Sequence, residues 1–309
     1  NIPFPDINLD VKSGSQAEQT AAIMIGFEKE LKQHPTHLVL VVGDVTSTMA
    51  CTIVAKKAGV KVAHVEAGIR SGDKSMPEEI NRIVTDSLTD YFFTTSTHAN
   101  TNLEKMGVPK NNIYFVGNVM IDTLLKNEIR LKRPPVWEEL NLQEKSYFVL
   151  TLHRPSNVDE ELQLKILILQ IAELGEKYPI IFPVHPRTQK FLKGLKLNFK
   201  NLHYISPLGY LEFNYLVKHA KAVLTDSGGI TEETTVMNVP CMTLRNSTER
   251  PETCNIGTNV LVGNDPEKIS QAFYNLYSGH WKQGKAPELW DGKAAIRIVD
   301  HIMEIFKLS

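Results

Sequence analysis

Short apolar runs recur along the first part of the chain, separated by longer stretches of helical periodicity. HLVLVV (37–42), VKVAHV (60–65), DYFFTT (90–95) and NIYFVG (112–117) are rich in β-branched and aromatic residues, and each predicts a strand. Between them, Thr46 to Lys57, Glu78 to Leu88 and Thr97 to Met106 predict helices. After Asn118 a helix is expected to about Leu131, and the Pro-Pro stretch LKRPPVWEE (131–139) reads as a linker. A second series follows, with strands expected at SYFVLTLH (146–153), PIIFPVH (179–185), NLHYIS (201–206), AVLTD (222–226), PCMTL (240–244) and NVLVG (259–263). Ala294 to Leu308 returns to helical spacing. Strand-helix alternation with near-continuous apolar strands indicates parallel sheets covered on both faces. The pattern predicts an α/β protein of two Rossmann-like, doubly wound domains facing across a cleft. The expected bounds are 1–125 and 140–290, with the closing helix (294–309) packed back on the first.

Length and composition narrow the functional classes. A chain of 309 residues suits two domains. A formal net charge of −1 gives no long-range attraction to nucleic acid or to an anionic membrane. No apolar stretch approaches the ~18 residues of a spanning helix. Three scattered cysteines (Cys51, Cys241 and Cys254) argue against a disulfide framework and fit a reducing cytoplasm. The histidines show no metal-ligand spacing, so no zinc site is expected.

In open α/β sheets, ligands sit outside the carboxyl ends of the strands. The first-half strands lead into Asp44, Glu66, Arg70, Glu78, Glu79 and Arg82. The second-half strands lead into His153 and Arg154, His185 and Arg187, PLGYLEF (207–213), SGGITEE (227–233), and Arg245, Glu249 and Arg250. Acids thus dominate one half; cations and a Gly-Gly helix start dominate the other. The second half suits a diphosphate shared by His153, Arg250 and the amides of Ser227, Gly228 and Gly229. Glu233, one turn further on, suits a ribose diol. Clustered carboxylates in the first half raise one another's pKa and supply acid-base chemistry.

Simpler readings compete. Gly228-Gly229 also fits a plain tight turn, and Asp44 an N-cap for the helix from Thr46. Glu78 and Arg82 have the spacing of a surface ion pair. Pro77 suits the first position of its helix. Glu232 reads as a solvated helix face, Arg245 as a surface residue, and Tyr210 and Phe213 as ordinary core. His153 beside Arg154 resists a core reading, whereas His185 fits either.

The motifs GDVTST (43–48), HVEAGIRSGD (64–73), PEEINR (77–82), TLHRPSN (151–157), PVHPR (183–187), DSGGITEE (226–233) and STERPE (247–252) run in the order found in one family. On these residues the chain resembles the non-hydrolysing UDP-N-acetylglucosamine 2-epimerases. The resemblance implies a GT-B-like fold, a cytoplasmic homodimer and a role in cell-surface polysaccharide biosynthesis. It implies inversion at C2 of a UDP-N-acetylhexosamine, by anti elimination of UDP to a bound 2-acetamidoglucal and re-addition, with no cofactor. Asp44, Glu66 and Glu78 match the family's catalytic acids, and Arg82 an arginine beside them. His153 and Arg250 match phosphate-side residues, with His153 also grouped among the catalytic set. Ser227, Gly228 and Gly229 match the diphosphate turn, and Glu233 the ribose ligand. The loop PLGYLEF matches the uracil loop, through Leu208, Tyr210 and Phe213. Arg154 and His185 join the substrate-binding set.

The chain departs from the family pattern in two places. Nothing matches the family's opening strand and Gly-Thr-Arg-Pro-Glu turn, and Lys74-Ser75-Met76 is shorter than the corresponding stretch in the best-known bacterial members. The short form also occurs in relatives acting on other UDP-sugars, including diacetamido-uronic acids. NIPFPDINLD (1–10) carries no strand-turn-helix signal. The expectation is a first sheet with a gap and an exposed edge, little or no epimerase activity, and a second domain that still binds UDP. A glycosyltransferase of the same fold is the competing reading.

Overall fold

A computed structural model describes residues 3–195 and 197–307, apart from the side chains of Arg187 and Lys193. The chain folds as two compact units: Asn1–Asn118 with Lys293–Ser309, and Val119–Gly292. The first unit holds a parallel sheet in the order β1 (Leu38–Val42), β2 (Lys61–Ala67), β3 (Tyr91–Thr94), β4 (Ile113–Phe115). The second holds β5 (Phe148–Thr151), β6 (Ile180–Pro183), β7 (Leu202–Ile205), β8 (Ala222–Thr225), β9 (Cys241–Thr243) and β10 (Asn259–Leu261). Their order is β10-β9-β8-β5-β6-β7, so the sheet reverses direction of growth between β5 and β8. Every expected strand is present; β2 runs one residue longer than the apolar run that announced it, and the other nine are one to four residues shorter.

Burial on both faces explains why the central strands were so plain. Phe148 and Leu150 point into one core with Phe182, Leu224, Ile168 and Phe273, beneath the helices Glu161–Leu174 and Pro266–Tyr277. Tyr147 and Val149, one residue out of phase, point into the other with Ile181, Val223 and Leu216. Period-2 alternation thus sends every residue of a central strand into apolar surroundings.

Three segments differ from expectation. Residues 131–139, read as a linker, pack on the second unit: Val136 and Trp137 are buried in its second core, around the short helix Val136–Glu139. The division between units lies at Asn118/Val119, and the helix Val119–Asn127 belongs to the second unit, where Ile121 and Leu124 pack on Trp290. An unexpected helix spans Gln16–Gln33 and packs on the helix Thr46–Lys57. Its start is a capping box: the Ser15 hydroxyl accepts from the Glu18 amide at 3.2 Å, and the Glu18 carboxylate accepts from the Ser15 amide at 2.8 Å. The first sheet has four strands among the described residues, with β1 at its edge. No helix among the described residues is long and apolar enough to cross a membrane.

Two glycines beyond β2 separate backbone conformation from crowding. Gly68 and Gly72 have φ of +79° and +76°, but a Cβ on Gly68 would stand 2.4 Å from the Ala99 carbonyl oxygen, whereas none on Gly72 would meet an atom within 4 Å. Gly72→Ala is expected to cost about 1 kcal/mol from the left-handed backbone alone, and Gly68→Ala a further ~1–3 kcal/mol from overpacking. Denaturant melts of the two variants check this; equal losses would show that crowding at Gly68 is relieved by backbone movement.

Candidate active site

In the first unit, the strand ends converge on a network of acids and arginines. Gly43 turns the chain after β1 with φ +70°, its amide held by the Val65 carbonyl at 3.0 Å. Asp44 follows, and it is no N-cap: the cap of the next helix is Val45, which makes no side-chain bond. The Asp44 carboxylate instead accepts from Arg82 Nε at 3.0 Å and Nη2 at 2.5 Å, and its carbonyl accepts from Asn81 Nδ2 at 2.8 Å. Arg82 is buried, contrary to the surface ion-pair reading, and also donates from Nη1 to Glu79 at 3.0 Å. Glu78, on the same helix, is exposed.

Glu79 is a structural anchor. Its carboxylate accepts from the Ser71 amide at 2.8 Å, the Ser71 hydroxyl at 3.0 Å and the Gly72 amide at 3.1 Å. Burial alone would raise its pKa, but the hydrogen bonds from Ser71, Gly72 and Arg82 win and hold it below the usual range. Glu66 is half-buried with φ +72°, at a register irregularity where β2 meets β3. Such a backbone is costly for a residue with a side chain, by about 1–3 kcal/mol, and concentrates at functional positions.

In the second unit, β8 ends at Thr225, Asp226 follows it, and the helix Gly228–Val236 starts just beyond, with the N-cap Ser227 making no side-chain bond. The first-turn amides of that helix therefore have no intrahelical or capping acceptor. Asp226 is buried and gathers the end of β5: its carboxylate accepts from the His153 amide at 3.0 Å, the Arg154 amide at 2.9 Å and Asn157 Nδ2 at 3.1 Å. His153 Nδ1 lies 2.8 Å from Asp226 Oδ1, which fixes the ring with Nδ1 as donor. Burial would raise the Asp226 carboxyl; His153 and the two amides outweigh it and lower its pKa. His185 is exposed, its ring centroid 6.0 Å from that of His153.

The cations are held by buried acids. Arg154 Nε donates to the Asp226 carbonyl at 3.1 Å. Glu232, expected on a solvated face, is buried and accepts from Arg250 Nε. Arg245, expected on the surface, has a buried side chain and donates to Glu249 at 2.7 Å. Burial favours a neutral Glu249, yet the hydrogen bond and charge of Arg245, with the charge of Arg250, bring its carboxyl down to about 2. Gly228 sits against this pair: a Cβ there would lie 3.4 Å from Glu249 Oε1, and one on Gly229 2.9 Å from the Met120 methyl.

Glu233 is buried, with Oε1 accepting from Tyr210 Oη at 2.9 Å and Asn214 Nδ2 at 3.3 Å. Burial raises its pKa above the usual carboxylate range, and those two bonds only partly offset it. Tyr210 is therefore not ordinary core: it is exposed at its ring and committed at its hydroxyl. Leu208 and Phe213 are half-buried against the second core. The side chain of Arg187 lies outside the described residues. No group of His, Cys, Asp or Glu among the described residues is arranged to hold a metal ion. Sequence reasoning named Glu249 at a strand end without giving it a role and singled out neither Asp226 nor Asn157, although Asp226 directly follows β8.

The comparisons with known proteins bear on the whole chain. The family profile for UDP-N-acetylglucosamine 2-epimerase matches residues 1–303. The chain belongs to the UDP-N-acetylglucosamine 2-epimerase family. It is 42% identical over 311 aligned positions to a UDP-N-acetylglucosamine 2-epimerase of Methanocaldococcus jannaschii, covering 97% of this chain and 84% of that relative. It is 35% identical to a UDP-2,3-diacetamido-2,3-dideoxy-D-glucuronate 2-epimerase of Pseudomonas aeruginosa, covering 98% of this chain and 85% of that relative. The crystal structure of the Methanocaldococcus jannaschii UDP-GlcNAc 2-epimerase in complex with UDP-GlcNAc and UDP superposes with a TM-score of 0.84 at 41% identity, covering 97% of this chain and 85% of that one. The fold of this epimerase-family chain is α/β with two parallel sheets, as in its GT-B neighbours.

Two buried acids of this 2-epimerase-family chain are expected to respond to pH with opposite sign. The lowered pKa of Asp226 adds stability above the unfolded carboxylate value of ~4, and that stability is lost as pH falls through the folded value. Asp226→Asn is therefore expected to destabilise most at neutral pH, by ~3–5 kcal/mol, and progressively less in acid. The raised pKa of Glu233 acts the other way: stability falls as pH rises from the unfolded value through the folded one. Glu233→Gln, which keeps the acceptor for Tyr210, is expected to raise Tm at neutral pH and to leave it unchanged in acid. Thermal melts of both variants across pH, without nucleotide, check both signs.

Proposed function

We propose that this protein inverts C2 of UDP-N-acetylglucosamine to give UDP-N-acetylmannosamine, by anti elimination of UDP and re-addition to a 2-acetamidoglucal. The observation that carries the reading is the separation of chemistry between two units of a 2-epimerase-family chain. Acids stand at the strand ends of one, and a bare helix start with ordered cations at those of the other.

Breaking the C1–O bond leaves oxocarbenium character on the sugar and extra negative charge on UDP. Asp44, Glu66 and Glu78 face the first demand as carboxylates, and among them serve as the base that removes the C2 proton and the acid that returns one on the other face. Arg82 sets the position of Asp44. His153, Arg250 and the amides of Gly228 and Gly229 take the leaving diphosphate, whereas the Ser227 amide already donates to Thr225 Oγ1 at 3.0 Å. His153 enters with Nδ1 committed to Asp226, so Nε2 is the ring atom offered to phosphate. Arg154 and His185 flank that position. Glu233 accepts the ribose hydroxyls; its Oε1 is committed to Tyr210 and Asn214, which orients Oε2 for the ligand. Leu208, Tyr210 and Phe213 form the loop for the uracil. No cofactor takes part in this scheme, and a cytoplasmic homodimer is the inferred working form.

The 35% identity to the diacetamido-glucuronate 2-epimerase supports a second choice of sugar with the same chemistry. Incubation with UDP-N-acetylglucosamine alone in deuterated water tests the reading. Deuterium at C2 with both UDP-sugars present is the expected result. Exchange only with the diacetamido-uronate would move the substrate; release of free N-acetylmannosamine would make the enzyme hydrolysing; UDP binding without exchange would overturn the catalytic half.

The two groups of residues are expected to separate in mutants. His153→Ala and Arg250→Ala each weaken UDP binding by ~1.5–3 kcal/mol, the range for charged hydrogen bonds. Asp44→Asn, Glu66→Gln and Glu78→Gln leave UDP binding nearly intact and abolish exchange at C2. Calorimetric UDP titration beside the deuterium assay checks both, and equal loss of UDP affinity in both groups would overturn the division.

A further inference from the structure

His64 lies fully buried on β2, in no contact that the scheme above uses. Both of its ring nitrogens face acceptors: Nδ1 is 2.6 Å from Asp86 Oδ1, and Nε2 is 2.9 Å from the Gly43 carbonyl oxygen. A neutral imidazole has one N–H, so either tautomer would turn a lone pair toward one of these oxygens. Moving the proton to Asp86 would satisfy both contacts, but Asp86 Oδ2 already accepts from Arg70 Nη2 at 2.7 Å and the Gly68 amide at 3.0 Å. A carboxylate beside a guanidinium holds its charge.

The charges that face the ring come from several elements. The helix Pro77–Leu88 brings Asp86, Glu79 and Arg82; the loop after β2 brings Arg70; β2 itself carries Glu66; and the turn after β1 carries Asp44. β1 and β3 add no charged residue, and the helix Thr46–Lys57 keeps its lysines at its far end. The ion pairs form two adjacent clusters: His64 and Arg70 on Asp86, and Arg82 on Asp44 and Glu79; with His64 charged the first has an excess of one cation and the second an excess of one acid.

We infer that His64 is an imidazolium at neutral pH and a positioning residue for Asp44, gripping the Gly43 carbonyl in the peptide that joins Gly43 to Asp44. The grip completes a frame. The Gly43 amide is fixed by Val65, its carbonyl by His64, the Asp44 carbonyl by Asn81 and the Asp44 carboxylate by Arg82. The role in exchange rests on Asp44 being a reacting acid; the charge and the grip do not.

Nitrogen NMR of the histidine-labelled protein tests the charge. Two protonated ring nitrogens at neutral pH are the expected result; a single N–H would overturn the inference. Two variants test the grip. His64→Gln keeps a donor near the Nε2 position, and His64→Asn keeps one near Nδ1. In His64→Asn, exchange at C2 is expected to fall about 100-fold, the order for a reacting group displaced by ~1 Å, with UDP affinity unchanged. His64→Gln is expected to recover at least ~10-fold of that loss. The Asp44 backbone amide resonance, which reports its own peptide carbonyl, should shift in His64→Asn and stay near wild type in His64→Gln. That resonance decides the grip even if the protein shows no exchange at all. Equal resonances in the two variants, or full exchange in His64→Asn, would overturn it.

Discussion

A buried carboxylate must be met by donors, because an ionised acid removed from water costs several kcal/mol unless it is paired and hydrogen-bonded. The strand ends of both units are organised by that requirement. Asp226 gathers two backbone amides, Asn157 and His153 at the junction of β5 and β8. Glu79 gathers the Ser71-Gly72 loop and Arg82, and Asp86 gathers Gly68, His64 and Arg70. Each takes donors from more than one segment, so each fixes the spacing between segments that the sheet alone leaves loose. Losing one of these acids would strand several donors at once, which is why the chain tolerates such expensive groups.

The same requirement separates fully committed acids from open ones. Asp86 and Asp226 are wholly buried, with both carboxylate oxygens committed. Asp44, Glu66 and Glu78 are at least partly open to solvent. A reacting acid must exchange a proton with substrate, which a group with every lone pair committed does poorly. Glu233 lies between these cases: buried, raised in pKa and bonded by the structure through one oxygen. Hydroxyl donors from a nucleotide would complete its shell and favour its ionised form. The free protein thus holds a carboxylate whose ionised form burial disfavours.

The central strands were legible because burial on both faces leaves continuous apolar runs, and their short length, β-branched content and flanking turn residues separate such runs from buried helix. The helix Gln16–Gln33 was equally legible in the Ser15-x-x-Glu18 capping signal, but its apolar positions are diffuse and none is buried. The linker reading failed at Trp137. Pro134-Pro135 punctuates the chain, yet the next two side chains enter a core whose other members lie far along the sequence. Charge pairing was the least legible level. Asp44 meets Arg82 across 38 positions and Asp226 meets His153 across 73, so only the folded sheet reveals them. The spacing that could be read, Glu78 to Arg82 on one helix, pointed to the wrong partner, because Arg82 turns inward.

This asymmetry follows from how acids and apolar residues carry information. An apolar run declares its environment by itself, since burial is the only outcome that favours it. A carboxylate declares only that something will satisfy it, and water is the default. What distinguishes Asp226 from a solvated acid is its place: it directly follows β8, ahead of two glycines that open a helix. There the sheet excludes water on one side, and the helix start supplies amides on the other. An acid in that position is either satisfied by neighbouring strand ends or expelled, and the backbone amides of His153 and Arg154 are the donors within reach. The strand order, with β5 beside β8, therefore determines which residues the acid can hold, and His153 is oriented by it.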